Sequence, residues 1–435
     1  MKMGGLHTLL SKSLRGRKAI SIPLSDGDSF SSVPIPQDVG IFSEAKQSII
    51  KLVELFVERA HVSRASDIHI DPCADSLRIR LRIDGALQDA HVLPLSIHTE
   101  IISRIKILSG MRIDEHYSAQ DGRFRLDANP SSKIDVRVSV VPTYYGENAV
   151  LRLLSESAEE YTLPGLGFTS RNRETIARAL LRPYGMILAT GPTGSGKTTS
   201  MYTLVKMLND KNVSIVTLED PIEYSITGIS QIQINQKTGL SFATGLRSIL
   251  RQDPNIIMVG EIRDEETARL AVNTALTGHR ILSTLHTNDA ASSVARLLDM
   301  GVEPYLIAST VSVVIGQRLV RRLCEHCKES YILSDAERAS LLEVLPGESI
   351  GARSTFYRAR GCAKCADVGF FGRIGIHEVM EVTGAVRDAI LTKEAAHTIR
   401  SIAIEAGMVS MDVDGFRKAA RGMTSLEEML RIRYE

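Results

Sequence analysis

Residues 191–198 have the sequence Gly-Pro-Thr-Gly-Ser-Gly-Lys-Thr, which fits the phosphate-binding loop pattern G-x-x-x-x-G-K-[ST] at every fixed position. The apolar run at 186–190 predicts a short buried strand before this loop, and residues 199–208 predict a helix after it. Glycines let successive backbone N–H groups turn towards an anion, and the N-terminus of a helix adds a partial positive charge. A chance glycine-rich turn would not come with this strand and helix, so the sequence predicts a nucleoside triphosphate site.

The loop also predicts how the nucleotide is held. Lys197 is expected to neutralise the β- and γ-phosphates and is a candidate catalytic residue, while the Thr198 hydroxyl is expected to bind Mg²⁺. The residues predicted to bind ATP are Gly191, Pro192, Thr193, Gly194, Ser195, Gly196, Lys197, Thr198 and Thr199.

Three further apolar runs with the character of strands end in polar residues. The run at 213–218 ends at Glu219, the run at 256–259 ends at Gly260 and Glu261, and the run at 281–285 ends at His286. Ligands of an open α/β sheet lie beyond the carboxyl ends of its strands. A single such glutamate is usually a surface residue and a single histidine usually structural. Three such ends after a phosphate loop favour a functional site that contains two carboxylates and an imidazole.

Four of the five cysteines form two C-x-x-C pairs, which are Cys324 with Cys327 and Cys362 with Cys365. Two such pairs are typical of a tetrahedral four-thiolate zinc site with a structural role. The pairs are further apart than the usual 15–20 or so residues, so a loop or helical excursion is expected between them. A redox role and spare cysteines are the alternatives, and His326 is a possible substitute ligand.

Composition limits the class of protein. The 435 residues carry a net charge of +1, which offers no electrostatic case for binding nucleic acid. No run approaches the roughly 20 apolar residues of a spanning helix, and no secretory signal is present. We therefore expect a cytoplasmic protein. Residues 1–40 form a basic, then Ser- and Pro-rich tail and linker; such a tail is usually solvated, although an anionic membrane surface is an alternative partner.

The region before the phosphate loop predicts a small α+β domain. Apolar residues at helical spacing from 49 to 60 predict an amphipathic helix. The stretch 77–84 alternates apolar and charged residues and predicts a half-buried strand, and a second alternating strand follows at 134–140. The first strand places three arginines on its exposed face, which are Arg78, Arg80 and Arg82.

These motifs together resemble the ATPases of type II secretion and type IV pilus assembly. Five matches, within about residues 41–380, carry the resemblance: 63–70 with 80–85, the phosphate loop, an acidic box at 217–223, a Walker B segment across 251–264, and a histidine box across 277–288. The two C-x-x-C pairs match the branch that powers secretion and pilus extension, since the retraction motors of the family lack them. Longer members carry a further N-terminal domain that docks on a membrane-bound partner. Here only about 40 residues precede the first helix, so that contact is expected to be absent, reduced or made differently.

The resemblance implies an α/β fold with a RecA-like P-loop motor domain, preceded by a PAS-like α+β domain and carrying a zinc-binding C-terminal subdomain. The expected divisions are a tail at 1–40, the PAS-like domain at 41–155, a linker at 156–170, the ATPase core at 171–320, the zinc subdomain at 321–380 and a helical region at 381–435. It implies a homohexamer that uses ATP, Mg²⁺ and structural Zn²⁺. The implied partners are a polytopic inner-membrane platform protein and its associated cytoplasmic components, with peripheral association at the cytoplasmic face and no nucleic acid.

Site roles follow from the motifs and the resemblance. Glu261 is expected to bind Mg²⁺ with Thr198 and to position water, and Glu219 is the other candidate for activating water. His286 and His279 are expected to sense the γ-phosphate. An arginine from the other lobe or from a neighbouring subunit is expected to complete the site, and the candidates are Arg78, Arg80, Arg82, Arg137 and Arg152.

The expected function is ATP hydrolysis that drives pilin or pseudopilin assembly. The alternatives are a DNA-translocating or conjugative motor, which would need a basic channel, and an ATP-bound scaffold without turnover, which would leave the carboxylates idle.

Overall fold

The computed structural model describes residues 45–129, 132–155, 161–345, 351 and 354–434. The predicted tail at 1–40 lies outside them, as do residues 156–160 of the predicted linker. The helices α1 to α13 are Ala45–Val62, His98–Leu108, Ser170–Leu181, Lys197–Leu208, Phe242–Ile249, Glu265–Leu276, Ser292–Asp299, Pro304–Thr310, Asp335–Val344, Gly384–Leu391, Ala396–Glu405, Met411–Ala420 and Leu426–Tyr434. The strands β1 to β15 are Ala65–Pro72, Ser76–Ile83, Ala86–Pro94, Gln120–Asn129, Ser132–Thr143, Gly146–Ser155, Gly185–Thr190, Ile215–Glu219, Ser230–Gln233, Ile256–Val259, Arg280–Leu285, Val311–Leu323, Glu329–Ile332, Thr355–Arg358 and Phe370–Glu381.

The N-terminal part of the chain forms an antiparallel sheet of six strands in the order β3-β2-β1-β6-β5-β4. In β2 the apolar residues of the alternating pattern, Leu77, Ile79 and Leu81, are buried. They belong to one core with side chains of α1 and α2, such as Val57 and Ile101. The helices therefore cover one face of this sheet, which is the α+β arrangement that the alternating strands predict.

The described residues from 161 onwards, called the motor region after the RecA-like domain expected there, are built on a sheet of seven strands in the order β15-β12-β7-β11-β10-β8-β9. All neighbouring strands are parallel except β15, which runs antiparallel to β12. The strands β7, β8 and β10 are buried throughout because separate apolar cores cover the two faces of the sheet. The carboxyl ends of β7, β8, β10 and β11 therefore share one edge, and the phosphate loop begins there.

The structure divides the C-terminal third differently from the expected boundaries. The strand β12 runs across the expected division at residue 320, and β15 returns to the same sheet from within the expected zinc subdomain. The insertion between them contains the hairpin of β13 and β14 and the helix α9. It also shares a small apolar core with α12 and α13, formed by residues that include Leu341, Phe356, Phe416 and Met429. The cysteine-bearing segment therefore does not stand apart from its neighbours.

Buried polar contacts join the last two helices, α12 and α13, to the strands β15 and β12. On α12, Asp414 accepts a hydrogen bond from the backbone N–H of His377 at 2.8 Å and pairs with Lys418 at 2.5 Å. On α13, Glu428 pairs with Arg321 of β12 at 2.6 Å. No helix among the described residues has both the length and the apolar character needed to cross a bilayer.

Polar and cation–π contacts between the N-terminal part and the motor region are found at two places among the residues that the structure describes. Asp84, in the turn after β2, accepts a hydrogen bond at 2.8 Å from the backbone N–H of Gly372, and the guanidinium of Arg64 lies 4.9 Å from the ring centroid of Phe371. On β5, Arg137 donates to the carbonyl of Ile222 at 2.7 Å. The second contact reaches the segment directly after β8, at the sheet edge where the phosphate loop begins.

Candidate functional site

The phosphate loop connects the buried strand β7 to the N-terminus of α4. Gly196 precedes the helix with φ of +85°, a left-handed conformation that glycine adopts without strain. Ser195 closes a turn by donating its N–H to the carbonyl of Pro192 at 3.2 Å. The loop and the first turn of α4 therefore form the backbone arrangement that binds phosphates in proteins.

The side chain of Lys197 folds over the loop. Its ammonium donates to the carbonyls of Gly191 at 2.8 Å and Pro192 at 3.0 Å. Burial lowers the pKa of Lys197, and the carboxylate of Glu261 opposes this shift. Thr198 follows on the exposed side of the helix start. An ammonium and a hydroxyl thus stand at the mouth of the loop, as phosphate and Mg²⁺ binding require.

Glu261 follows the end of β10 and lies between the side chains of Arg263 and His286. Its carboxylate lies 2.6 Å from the guanidinium of Arg263 and 3.2 Å from the Nε2 of His286, which follows β11. The Glu261 side chain is only 13 % exposed, whereas that of His286 is 47 % exposed. The hydrogen bond from Arg263 to Glu261 raises the pKa of the guanidinium. The carboxylate and imidazole from two adjacent strand ends are therefore in direct contact, and the charge of Glu261 also opposes the lowering of the Lys197 pKa.

Glu219 ends β8 at the same edge but is held differently. It is 2 % exposed, and its carboxylate accepts hydrogen bonds from Thr217 at 2.5 Å, from Gln231 at 3.1 Å and from the hydroxyl of Tyr202 on α4. Burial and this hydrogen bond raise the pKa of Tyr202. Three donors from three elements surround the carboxylate, which favours a structural role for Glu219 over contact with water.

The structure does not bring His279 to the nucleotide site of its own chain. His279 precedes the first residue of β11, and its carbonyl accepts a hydrogen bond from the N–H of Gly185 at the start of β7. Because β7 and β11 are parallel, these residues mark the edge opposite to the phosphate loop. A strand of six residues spans about 20 Å. His279 therefore lies far from the phosphate loop of its own chain, and its expected role in sensing the γ-phosphate stays a prediction.

Four of the five candidate arginines have described partners within the chain. Arg80 pairs with Asp71 at 2.7 Å, Arg82 lies 3.6 Å from Asp67, and Arg152 pairs with Asp67 at 3.0 Å. Arg137 donates to Ile222 as described above, and Arg78 is exposed on β2. The Arg152 side chain stays 64 % exposed despite its ion pair. The ion pair of such an exposed guanidinium contributes little free energy, so Arg152 can exchange Asp67 for another anion.

The four paired cysteines converge at one end of β12 and β15. Their sulfurs all lie within 4.8 Å of one another, with separations of 3.9 Å for Cys324 and Cys362 and 3.7 Å for Cys327 and Cys365. Four sulfurs at the Zn–S distance of about 2.3 Å form a tetrahedron with edges of about 3.8 Å. A disulfide needs sulfurs about 2.05 Å apart. The donor set and its spacing thus fit a four-thiolate metal site and do not fit disulfides.

An open cleft of about 400 Å³ adjoins the Glu261 and His286 pair. It is lined by Ile262, Arg263, Leu285, His286, Arg296 and Met300. The imidazole of His286 therefore stands between the buried carboxylate and a space that opens to the surface.

Residues 43–431 match the family described as type II/IV secretion system protein. The chain belongs to that family. A relative from Myxococcus xanthus, named type IV pilus assembly ATPase PilB, is 44 % identical over 88 % of this chain and 67 % of that protein. Type II secretion system protein E of Xanthomonas campestris is 44 % identical over 96 % of this chain and 73 % of that protein. Type II secretion system ATPase E of Vibrio cholerae is 43 % identical over 94 % of this chain and 81 % of that protein.

Solved structures of similar fold support the architecture. The Legionella pneumophila ATPase DotB has a TM-score of 0.64 at 22 % identity, with 88 % of this chain and 95 % of that chain covered. The pilus retraction motor PilT with bound ADP has a TM-score of 0.60 at 24 % identity, with 88 % and 96 % covered. At these identities the likeness concerns the fold alone, and the predicted secretion-ATPase fold is confirmed.

Family membership decides the class of activity. The chain is an ATPase of the type II secretion and type IV pilus assembly family, as the sequence predicted. Use of a nucleotide and Mg²⁺ follows from that class. The four-cysteine cluster is able to hold a metal ion.

Several residues around the site were not singled out from the sequence. Tyr202, Thr217 and Gln231 hold Glu219, and the ion pair of Arg263 with Glu261 was not foreseen although both residues lie in the Walker B segment. Gln317 of β12 also contacts the phosphate loop. Only the proximity of Arg263 to Glu261 in the chain offered a signal, because the other contacts depend on how helices and strands pack.

Proposed function

We propose that this chain works as a homohexamer that hydrolyses ATP to drive the assembly of pilin or pseudopilin subunits through an inner-membrane platform protein. The observation that carries the proposal is the contact of Glu261 with His286 at the sheet edge where the phosphate loop begins, within a family whose relatives are named for pilus assembly and type II secretion. The hexamer would associate peripherally with the cytoplasmic face of the membrane through the platform protein and its cytoplasmic components. A nucleic-acid partner is not expected, because the net charge is +1.

The site residues take distinct roles in this proposal. Lys197 and the backbone N–H groups of 192–198 bind the phosphates, and Thr198 and Glu261 would hold Mg²⁺, which would supply positive charge to the transferred group. Glu261 orients the water and accepts its proton as the water oxygen bonds to the γ-phosphorus; the bond from that phosphorus to the bridging oxygen of ADP breaks, and ADP and inorganic phosphate leave. His286, 3.2 Å from that carboxylate and exposed to the cleft, reports the presence of the γ-phosphate to the surrounding surface. The network around Glu219 favours Glu261 as the base.

Structural zinc is the proposed metal of the four cysteines. Cys324 directly follows β12, and Cys365 precedes β15 by a short turn. An ion bound there would join the ends of two strands that both belong to the motor sheet. Binding energies of structural zinc in small domains are on the order of 10–16 kcal/mol, enough to hold an insertion whose own core is small.

Arginines of the N-terminal domain are proposed to complete the site of a neighbouring subunit. An arginine that reaches the γ-phosphate contributes about 10³–10⁵ in rate in related phosphoryl-transfer enzymes. Arg78 is exposed, and Arg152 is largely exposed despite its ion pair. Arg80, Arg82 and Arg137 are further candidates that would have to exchange their present partners.

The experiment is Mg²⁺-ATP turnover per subunit across a range of protein concentrations, with Lys197→Ala as the blank. A shared site predicts turnover that rises as the hexamer forms. Each candidate arginine is then replaced by alanine, and an inactive arginine variant is mixed in equal amounts with Lys197→Ala chains. If neighbours share the site, about a quarter of the subunit contacts carry both intact groups and regain turnover.

Three results would overturn parts of this proposal. Flat turnover with concentration, and no recovery on mixing, would mean that each chain holds a complete site. Unchanged turnover in Lys197→Ala would remove the nucleotide assignment itself. Strong stimulation of turnover by DNA would favour the alternative of a DNA-translocating motor.

A further inference from the structure

Gln317 lies beneath the phosphate loop in the middle of β12. It is 2 % exposed, and its neighbour Gly316 is paired with Thr190, the last residue before the loop. On its other side Gln317 is paired with His377 of β15. The residue therefore stands at the junction of the strand that leads into the loop and the strand that carries the C-terminal helices.

The loop packs on both the side chain and the main chain of Gln317. The Nε2 of Gln317 donates to the carbonyl of Ser195 at 2.7 Å. A Cβ at Gly196 would lie 3.2 Å from the same nitrogen. A Cβ at Gly191 would overlap the main-chain carbonyl of Gln317, which makes glycine necessary at that position.

This contact bears on phosphate binding through the direction of the peptide groups. A phosphate loop works because its N–H groups point inward at the anion, so the carbonyls of the same peptides must point outward. The outward carbonyl of Ser195 faces the buried side chain of Gln317, where only a hydrogen-bond donor compensates for its removal from water. A donor at this place holds the peptide of residues 195 and 196 in the orientation that turns its N–H towards the ligand.

We propose that Gln317 is a positioning residue that holds the phosphate loop in its nucleotide-binding form and thereby sets the affinity for ATP. It touches neither the phosphates nor the attacking water, and it acts only through the loop. The inference rests on the proposed role of residues 191–199 as the ATP-binding loop.

The test compares Gln317→Leu, which keeps the approximate size but removes the donor, with Gln317→Glu, which places an acceptor against the Ser195 carbonyl. The matched control is Thr310→Val, because Thr310 is equally buried just before β12 and donates a hydrogen bond to Leu306 away from the loop. The measurements are the Kd for a fluorescent ATP analogue, the KM and kcat for Mg²⁺-ATP, and the Tm of the full chain.

The expected result is that Kd and KM rise about tenfold in Gln317→Leu and further in Gln317→Glu, while kcat at saturating ATP stays within about twofold. Thr310→Val should lower the Tm as much as Gln317→Leu does and leave Kd unchanged. If Gln317 only stabilises the fold, all three variants should show a similar decrease in Tm and in the fraction of active protein, and their Kd should be unchanged.

An unchanged Kd in folded Gln317→Leu and Gln317→Glu would overturn the inference. If Gln317→Leu does not fold, Gln317→Met supplies the same loss of the donor with a more flexible side chain. Failure of the unaltered chain to bind the analogue would instead refute the proposed nucleotide site. Tight binding by the unaltered chain and by the Gln317 variants alike would refute only the role of Gln317.

Discussion

Exchange of a single carboxylate oxygen for an amide nitrogen separates the roles of Glu261 and Glu219. Both residues end parallel strands at the edge that carries the phosphate loop, and both are candidates for the base. The variants Glu261→Gln and Glu219→Gln keep the size and remove the charge. We expect Glu261→Gln to stop hydrolysis in a stable protein, and Glu219→Gln to weaken the protein while hydrolysis continues.

The magnitudes follow from the contacts of each carboxylate. Glu261 contacts Arg263 and His286, whose side chains are 60 % and 47 % exposed, so loss of these pairs should cost no more than about 1 kcal/mol of stability. Loss of a general base costs about 10²–10⁴ in kcat. Glu219→Gln leaves the Tyr202 hydroxyl without its charged acceptor, and a buried hydrogen bond to a charged group is worth about 1.5–3 kcal/mol.

The assay combines single-turnover ATP hydrolysis, binding of a fluorescent ATP analogue and thermal unfolding for each variant. Tyr202→Phe is the matched control, because it removes the same hydrogen bond and leaves the Glu219 carboxylate in place. Tyr202→Phe and Glu219→Gln should lower the Tm by similar amounts, and both should keep kcat within a few fold. Glu261→Gln should bind the analogue normally.

The reasoning is refuted if folded Glu219→Gln loses as much kcat as Glu261→Gln while Tyr202→Phe stays active. Glu219 would then be the base, and its surrounding donors would serve catalysis. Near-normal turnover in Glu261→Gln would refute the assignment of Glu261 directly.

Two further predictions concern parts of the chain away from the loop. Cys362→Ser should lower the zinc content, measured by elemental analysis, and reduce the Tm by several degrees, because it removes one of four converging thiolates. The control variant Cys73→Ser should change neither the zinc content nor the Tm. Equal zinc content in both variants would argue against the metal site. Burial, reinforced by Lys418, holds the pKa of His377 well below its ordinary value of 6.5. As the pH falls below about 6.5, only the unfolded chain gains a proton at His377, and this proton favours unfolding. The free energy of unfolding is therefore not reduced by His377 above that pH, and it falls below that pH by at most about 1.4 kcal/mol per pH unit. Thermal unfolding at pH 7.5 and 5.5 should therefore show a smaller loss in His377→Gln than in the unaltered chain, and an equal loss in both would contradict this.

Local patterns were sufficient for much of the fold and part of the site. The phosphate loop between a strand and a helix, the alternating strand at 77–84 and the two C-x-x-C pairs each depend on spacing within a few residues. Such spacing sets backbone conformation and the face on which a side chain lies. This spacing predicted that the four cysteines converge and that Glu261 and His286 lie at the same edge of the sheet.

Pattern alone did not separate His279 from His286. Both lie in the same box, yet they flank opposite ends of β11, and a strand of this length places them at opposite edges of the sheet. The alternation that marks a strand says which face a residue occupies. The direction of the strand within the sheet decides which edge its ends reach.

Glu219 and Gln317 show which features of the site could not be predicted from the sequence. As sequence, Glu219 and Glu261 are both glutamates that follow buried strands, and only the packing of α4 and β9 around β8 encloses Glu219 among donors. Gln317 supports Ser195 from 122 residues away because β12 lies next to β7. Spacing over a few residues is a property of the covalent chain and can be read from the sequence. Contacts between residues far apart in the chain depend on the order of the strands and on the burial of both faces of the sheet, and these exist only in the folded protein.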